Sequence, residues 1–146
     1  MTEHQRMILR LCKNPAPLCE VLGLDRIWIR GIEFPMGDDR IDMVFHDRFY
    51  DSVSPSNPAT KVPLNWKCFV AELKTETGDH EMMGQLTKAV NHMQAFGTGI
   101  KHWSVTKGVA IAPGYTESGK KLLLDSGFDV LVWKEFESRI RLDRLK

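Results

Sequence analysis

Cysteine is scarce in this sequence, and its number argues against a disulfide framework. The chain of 146 residues has three cysteines, at positions 12, 19 and 68, which is an odd count without a CxxC pair. Cys12 and Cys19 combined with a histidine match no common spacing of zinc ligands. We therefore expect three reduced thiols in a cytosolic protein.

Long apolar runs and a strong charge of one sign are also missing. No stretch approaches the length needed to cross a membrane, and Met1–His4 lacks the basic start and apolar centre of a signal peptide. Because the formal net charge is +1, any surface that attracts nucleic acid must be local. The 42% of hydrophobic and 27% of charged residues are ordinary for one globular domain.

The order of elements predicts an α/β domain with a central mixed β-sheet flanked by helices. The predicted helices share apolar residues at helical spacing and cover 2–12, 18–22, 80–96 and 116–126. The predicted strands are alternating or continuous apolar runs and cover 26–34, 40–46, 66–74, 108–113 and 128–136. The proline-rich segment 48–65 is predicted to be a loop inserted in a single domain, 1–146.

One predicted strand, Phe69-Val70-Ala71-Glu72-Leu73-Lys74, ends in two charges. Side chains alternate along a strand, so Glu72 and Lys74 leave the same face of the sheet. Because burying an isolated charge is expensive, a strand that ends this way usually opens into a cleft. Alone, the E-x-K pattern is common and more often marks a solvated ion pair.

A second acid, Asp42, lies inside the apolar strand that precedes the loop. If this strand pairs with 66–74, Asp42 lies beside Glu72, and a divalent cation would relieve the repulsion between the two carboxylates. Mg²⁺ suits such a pair because it prefers oxygen ligands and keeps several waters. Lys74 could then orient a metal-bound water or offset negative charge in a phosphoryl transition state.

Asp42 followed by Glu72-Leu73-Lys74 resembles the catalytic core of the PD-(D/E)XK nuclease superfamily, in particular the nuclease domain of NucS-type endonucleases and related small phage and prokaryotic nucleases. Ile41 stands where the superfamily pattern has proline, and the loop between Asp42 and Glu72 is longer than usual. The segments that carry the resemblance follow in order: Glu3 ahead of Asn14-Pro15, then 37–45, 70–74, Gly84-Gln85-Leu86 and 108–113.

The resemblance implies a restriction-endonuclease-like fold and a Mg²⁺-dependent deoxyribonuclease, first of all an endonuclease, in which Mn²⁺ substitutes for Mg²⁺. It implies that Asp42 and Glu72 hold the metal and that Glu3 is a supporting ligand. Lys74 would assist the attacking water, and Gln85 would orient active-site groups or touch the substrate. The implied partner is DNA, with RNA left open, in the cytoplasm of a prokaryotic or phage-infected cell, and a homodimer would supply two sites for double-strand cutting.

Four further residues are candidate contacts to nucleic acid. Lys88 and His92 lie on the same helix flank as Gln85, which could follow a phosphate backbone. Arg48 and Lys61 lie in the proline-rich loop.

Each assignment has a structural alternative. Glu3 could stabilise the helix dipole, Asp42 could pair with Arg40 or Arg30, and Gln85 could be a solvated helix residue. The tail 138–146 is first a packed terminal element or dimer contact, and second a nucleic-acid arm. As a whole, the chain could be a catalytically inactive copy of the nuclease fold that binds nucleic acid or a protein.

Overall fold

The computed structural model describes residues 1–47, 66–100 and 103–146, with only the backbone described for Trp66 and Ser104. The predicted loop 48–65, with Arg48 and Lys61, lies outside the described residues. The described part contains four α-helices and six strands. These are α1 (Glu3–Lys13), α2 (Ala16–Leu22), β1 (Trp28–Met36), β2 (Asp39–His46), β3 (Trp66–Leu73), α3 (Glu81–Phe96), β4 (Trp103–Ala112), α4 (Glu117–Asp125), β5 (Asp129–Phe136) and β6 (Arg139–Arg144).

The six strands form one sheet in the order in which they occur in the chain. β3, β4 and β5 run parallel to one another. The other neighbours are antiparallel: β1 pairs with β2, β2 with β3, and β5 with β6. The helix α3 connects β3 to β4, and α4 connects β4 to β5, as parallel neighbours require. The prediction of an α/β fold with a central mixed sheet flanked by helices is therefore confirmed.

Two hydrophobic clusters sit on the two faces of this sheet. The first contains Leu11 from α1 and Leu18 from α2, and the second contains Leu86 from α3 and Leu123 from α4. β3 supplies both clusters because its side chains alternate: Phe69, Ala71 and Leu73 join the first cluster, and Cys68 and Val70 join the second. After Lys67 near its start, the apolar character of this strand is next broken at Glu72, near its end.

Capping residues fix the start of α1. The Thr2 side chain accepts a hydrogen bond from Gln5 N at 3.1 Å, and the Gln5 side chain accepts one from Thr2 N at 3.0 Å. This reciprocal pair satisfies two amides at the helix terminus. The start of α1 is therefore well defined.

The C-terminal segment forms a strand that is not among the elements predicted from the sequence. Arg139–Arg144 forms β6, which pairs with β5 along the sheet edge, and Leu142 is buried. The alternation of basic and apolar residues that suggested an arm is the pattern of a half-exposed edge strand. The tail is therefore a packed terminal element, as the first of its two interpretations states.

No helix in the part of the chain that the structure describes has the length and apolar character needed to cross a membrane.

β4 is longer than predicted, beginning at Trp103 instead of Gly108. Polar residues such as Thr106 and Lys107 interrupt the apolar run in its first half. The continuous run from Gly108 therefore predicted only the fully buried half of the strand.

Candidate active site

Asp42 and Glu72 lie side by side on neighbouring strands. The antiparallel register of β2 and β3 pairs Met43 with Ala71, so the next position outward brings Asp42 opposite Glu72. The two carboxyl groups are hydrogen-bonded to each other, and each residue is only 9% exposed. The Leu73 N–H also donates to Asp42 Oδ2 at 2.8 Å, which fixes the orientation of that carboxylate.

This contact changes the acidity of Glu72. Burial, followed by the negative charge of Asp42 and the hydrogen bond with it, raises the pKa of Glu72 to about 8, although the nearby Lys74 ammonium acts in the opposite direction. At neutral pH the Glu72 carboxyl therefore keeps its proton and shares it with Asp42. A cation bound between the two acids would take the place of this proton.

His4 is the third member of this group, and it is not among the site residues predicted from the sequence. Its Nε2 lies 3.1 Å from Asp42 Oδ2 and 3.0 Å from the carbonyl oxygen of Leu73. Because both oxygens are acceptors, Nε2 carries the hydrogen and donates to them. The first turn of α1 thus contacts the first half of β2, at Asp42, and the end of β3, at Leu73.

Glu3 does not enter this group, in contrast to the role that the resemblance implied for it. Its side chain is 70% exposed and its Oε2 lies 3.7 Å from Arg6 Nη1, within the same helix. Successive residues of a helix are rotated by about 100°, so only one of the neighbours Glu3 and His4 can point at the sheet. In this fold it is His4.

The group opens into a cleft with a volume of about 660 Å³. Lys74, which is half-buried, lines this cleft together with His4, Asp42 and Glu72. Acidic side chains outnumber basic ones among the remaining lining residues, which include Glu33, Asp38, Asp39, Arg40, Glu76 and Asp79. The potential in the cleft therefore favours cations and repels an unaccompanied phosphate.

The residues predicted on α3 lie at different distances from the cleft. Lys88 reaches its rim, because Lys88 Nζ lies 3.8 Å from Asp39 Oδ2 and Asp39 is part of the lining. Gln85 is exposed on the flank of the helix that carries Lys88, and His92 is half-buried one turn further along. Neither of these two lines the cleft.

The arginines that offered a structural explanation for Asp42 have other partners. Arg40 Nη1 lies 3.6 Å from Glu33 Oε2, and Arg30 Nε donates to His46 Nε2 at 2.6 Å. Asp42 instead contacts His4, Glu72 and the Leu73 amide. A carboxylate whose neighbour is another carboxyl group is more typical of a binding site than of a structural ion pair.

The donors at this site suit a hard divalent cation. Within residues 1–47, 66–100 and 103–146, no three His, Cys, Asp or Glu side chains are grouped as a complete metal cage. Asp42 and Glu72 instead offer two adjoining carboxylates at an open cleft. Mg²⁺ keeps several waters and is commonly bound through one or two carboxylates. Burial favours the neutral form of Glu72, and a bound cation would favour its ionised form. The residues therefore fit the metal that the resemblance implied.

No protein-family model and no curated protein matches this chain, but solved structures do. A repair endonuclease from Pyrococcus abyssi matches 95% of the chain with a TM-score of 0.59 and 16% identity. EndoMS in apo form matches 94% with a TM-score of 0.57 and 20% identity. EndoMS in an EndoMS–dsDNA2 complex matches 85% with a TM-score of 0.56 and 21% identity.

The likeness to these structures concerns the fold. The chain spans 49%, 48% and 41% of the three matched chains, in the same order, which is less than half of each. The match covers between 85% and 95% of the present chain. It confirms the NucS-like nuclease fold that the sequence resemblance implied.

Proposed function

We propose that this domain is a metal-dependent nuclease that hydrolyses phosphodiester bonds in DNA, with its active site in the cleft between the start of β2 and the end of β3. The observation that carries the proposal is the pair Asp42 and Glu72. Two buried acids in contact lower the stability of the fold when no cation lies between them, so such a pair is typical of a binding site. The shared fold with repair endonucleases, one of them in a complex with double-stranded DNA, supports the same activity.

Asp42 and Glu72 would hold Mg²⁺, with Mn²⁺ able to substitute. When bound, such an ion polarises a phosphoryl oxygen and lowers the pKa of a coordinated water. The chain's own contribution begins with Glu72, which releases the proton it shares with Asp42. Asp42 stays oriented by the Leu73 N–H, so one carboxylate is fixed before any ligand arrives.

Lys74 would act on the water that attacks phosphorus. It lines the cleft two residues beyond Glu72 and is close enough to lower the pKa of Glu72. A half-buried ammonium at this position can hold the attacking water by a hydrogen bond and balance negative charge on the phosphoryl oxygens as it develops. A neutral side chain of similar length would fill the space and lose both effects.

DNA would approach this cleft past Lys88 at its rim. Because the lining is mainly acidic, a phosphate needs the metal ion to offset the repulsion from the carboxylates. Lys88 on the rim of the cleft, with Gln85 on the same flank of α3, would contact the backbone next to the scissile phosphate. A homodimer would place two such clefts on one duplex, and RNA is a second possible substrate that the same chemistry permits.

Cleavage assays test this function directly. Single-stranded, duplex, branched and mismatched DNA, with RNA in parallel, are incubated with wild type, Glu72→Gln or Lys74→Met in Mg²⁺ or Mn²⁺. We expect each variant to lose about 100-fold or more in rate, since each removes charge stabilisation that the transition state needs. Glu20→Gln, which changes an exposed acid on α2, is the matched control and should cleave like wild type.

The assay also separates the proposal from its main alternative. Equal cleavage by wild type and both site variants would exclude this cleft as the active site. Binding of DNA without cleavage in any metal would indicate a catalytically inactive copy of the fold. Cleavage of RNA but not DNA would keep the mechanism and change the substrate.

A further inference from the structure

The last residue of α3, Phe96, is an aromatic side chain that is 46% exposed. Single exposed apolar side chains are common on protein surfaces, but this one is held by three neighbours. The ring of Phe34 meets it edge-on with the centroids 5.7 Å apart, and the centroid of the Trp103 ring lies 5.9 Å away. Arg30 Cζ lies 5.5 Å from the centroid of the Phe96 ring. The ring is therefore fixed in position while much of the residue stays accessible.

The Arg30 guanidinium is the second part of this surface. Its Cζ lies 5.5 Å from the centroid of the Trp103 ring as well as from that of Phe96, and its Nε donates to His46 Nε2 at 2.6 Å. Arg30 is exposed, and the described residues bring no carboxylate into ion-pair contact with it. An uncompensated cation and an exposed aromatic ring thus lie side by side.

This surface is continuous with the rim of the cleft. Lys88, His92 and Phe96 follow one another at intervals of four residues on α3, and eight residues of a helix advance about 12 Å while turning by about 80°. Lys88 marks the rim through its contact with Asp39. A DNA strand that passes Lys88 along this flank reaches Phe96 in about three to four nucleotides, at about 3.4 Å for each.

We propose that Phe96 and Arg30 form a subsite for one unpaired nucleobase of the DNA strand that leaves the cleft past Lys88. The inference rests on the proposed function and deepens it by naming the form of DNA that the site takes. Every nucleobase has a π-face that can stack on an aromatic ring, and an arginine adds a cation–π contribution. Bases inside a duplex are stacked on one another and offer this ring no free face.

Photocrosslinking with 5-iodouracil tests the contact directly, without a measurement of cleavage. When irradiated, this base forms a covalent link with an aromatic side chain on which it is stacked. A duplex with a single-stranded arm, which has the iodinated base at successive positions of the arm, is bound to Glu72→Gln protein and irradiated. Mass spectrometry should locate the crosslink at Phe96. Phe136, which is 71% exposed at the end of β5, should carry none.

Fluorescence anisotropy with labelled DNA supplies the second measurement. Affinity for the armed duplex should fall about tenfold in Phe96→Leu, which keeps an apolar side chain and loses the ring. Affinity for a blunt duplex should change by less than about twofold, because it has no unpaired base to stack. Phe96→Tyr should bind both DNAs like the parent protein. Phe136→Leu is the matched control and should do the same.

The role of Arg30 is measured in the same way. Arg30→Lys keeps the positive charge but loses the planar group, so affinity for the armed duplex should fall about two- to fivefold. If Phe96→Leu does not fold, the crosslink formed with Phe96 intact remains a test that needs no substitution at this position.

The outcomes separate this inference from the proposed function. Undiminished affinity of Phe96→Leu for the armed duplex, or crosslinks in which Phe96 is absent, would overturn the subsite and leave the cleft as the active site. An equal loss of affinity for armed and blunt DNA would also overturn it, because the ring would then serve only the packing around it. A crosslink at Phe96 in a protein whose wild type cleaves no DNA would support the subsite and overturn the proposed activity.

Discussion

The Glu72 carboxyl is hydrogen-bonded to the Asp42 carboxyl across the antiparallel strands β2 and β3, in a position where both residues are nearly inaccessible to solvent. Such a contact is stable only while one of the two acids is protonated or a cation lies between them. The pair thus links three properties of the domain: the protonation of Glu72, the stability of the fold and the affinity for a metal ion.

The stability of the metal-free protein should fall as the pH rises from about 4.5 to about 8. The pKa of Glu72 is raised from 4.5 to about 8 in the folded state, so within this range the folded state binds more protons than the unfolded state. Stability therefore decreases with pH, by about 1.4 kcal/mol for each unit that separates the two pKa values. Urea denaturation in EDTA at several pH values measures this slope.

Glu72→Gln provides the comparison for this slope. The amide keeps the shape of the protonated carboxyl and cannot ionise, so the part of the pH dependence that comes from Glu72 should disappear. Glu20→Gln changes an exposed acid and should keep the wild-type slope. A Glu72→Gln protein whose stability falls with pH as steeply as that of wild type would contradict the raised pKa.

Divalent cations should stabilise the domain, and Asp42→Asn should remove the effect. A ligand that binds only the folded state adds about 2.7 kcal/mol at a concentration 100 times its dissociation constant. Asp42→Asn removes both a ligand and the negative charge that repels Glu72. We therefore expect the metal-free variant to be at least as stable as wild type and to gain nothing from Mg²⁺ or Mn²⁺.

Thermal unfolding with and without each cation measures this difference. Asp125→Asn is a suitable control, because Asp125 lies on α4 in an exposed ion pair with Lys121 and outside the cleft. Its metal-dependent gain should equal that of wild type. An equal gain in Asp42→Asn would mean that the stabilising ion binds somewhere else.

Lys88→Ala should weaken DNA binding and reduce its dependence on salt. Each phosphate that a basic residue neutralises adds close to one to the slope of log affinity against log salt concentration. Removing one such contact should lower this slope by about one, with similar effects on different sequences. Binding is measured with Glu72→Gln as background, so that cleavage does not interfere.

Lys121→Ala is the matched control for Lys88→Ala. Lys121 is also exposed on a helix and paired with an acid, but it does not border the cleft. Its removal should leave the salt dependence of binding unchanged. The same change of slope in both variants would show that Lys88 contributes only to the general charge of the protein.

The sequence contains enough information to predict most of the elements of this fold and the pairing of the two acids. Periodicity and capping residues identify the helices. Asp42 and Glu72 come together if the apolar strands on either side of the loop pair with each other, and this pairing could be predicted. β6 and the first half of β4 were missed because their alternation of polar and apolar residues is weak evidence for a strand when no neighbour is known. Pairing with β5 and β3 supplies the missing stabilisation.

His4 is the residue of the site that was not predicted from the sequence. How α1 rests on the end of the sheet is a matter of tertiary packing, and the resemblance directed attention to Glu3. The helix itself contains a usable signal: His4 lies four residues before Ile8 and seven before Leu11, at the centre of the buried face. Glu3 is about 90° away from that centre. A polar residue at the centre of an apolar face indicates a buried polar site.

Two glycine substitutions should affect stability in opposite directions. A Cβ added at Gly108 would lie 2.7 Å from Phe128 Cδ1 and 3.0 Å from Leu86 Cγ. Gly108→Ala should therefore overpack the cluster beneath α3 and cost about 1 to 3 kcal/mol. A Cβ at Gly84, inside α3, would meet no described atom within 4 Å, and alanine is the better helix former by up to about 1 kcal/mol.

Urea denaturation of both variants measures these effects under one set of conditions. Because Gly84 precedes Gln85, the cleavage assay of Gly84→Ala adds a second result. Unchanged cleavage with increased stability is expected if Gly84 has no role beyond its place in the helix. A loss of cleavage in a more stable protein would indicate that DNA passes close to this turn of α3, since the added methyl group would then collide with the substrate and with nothing in the protein.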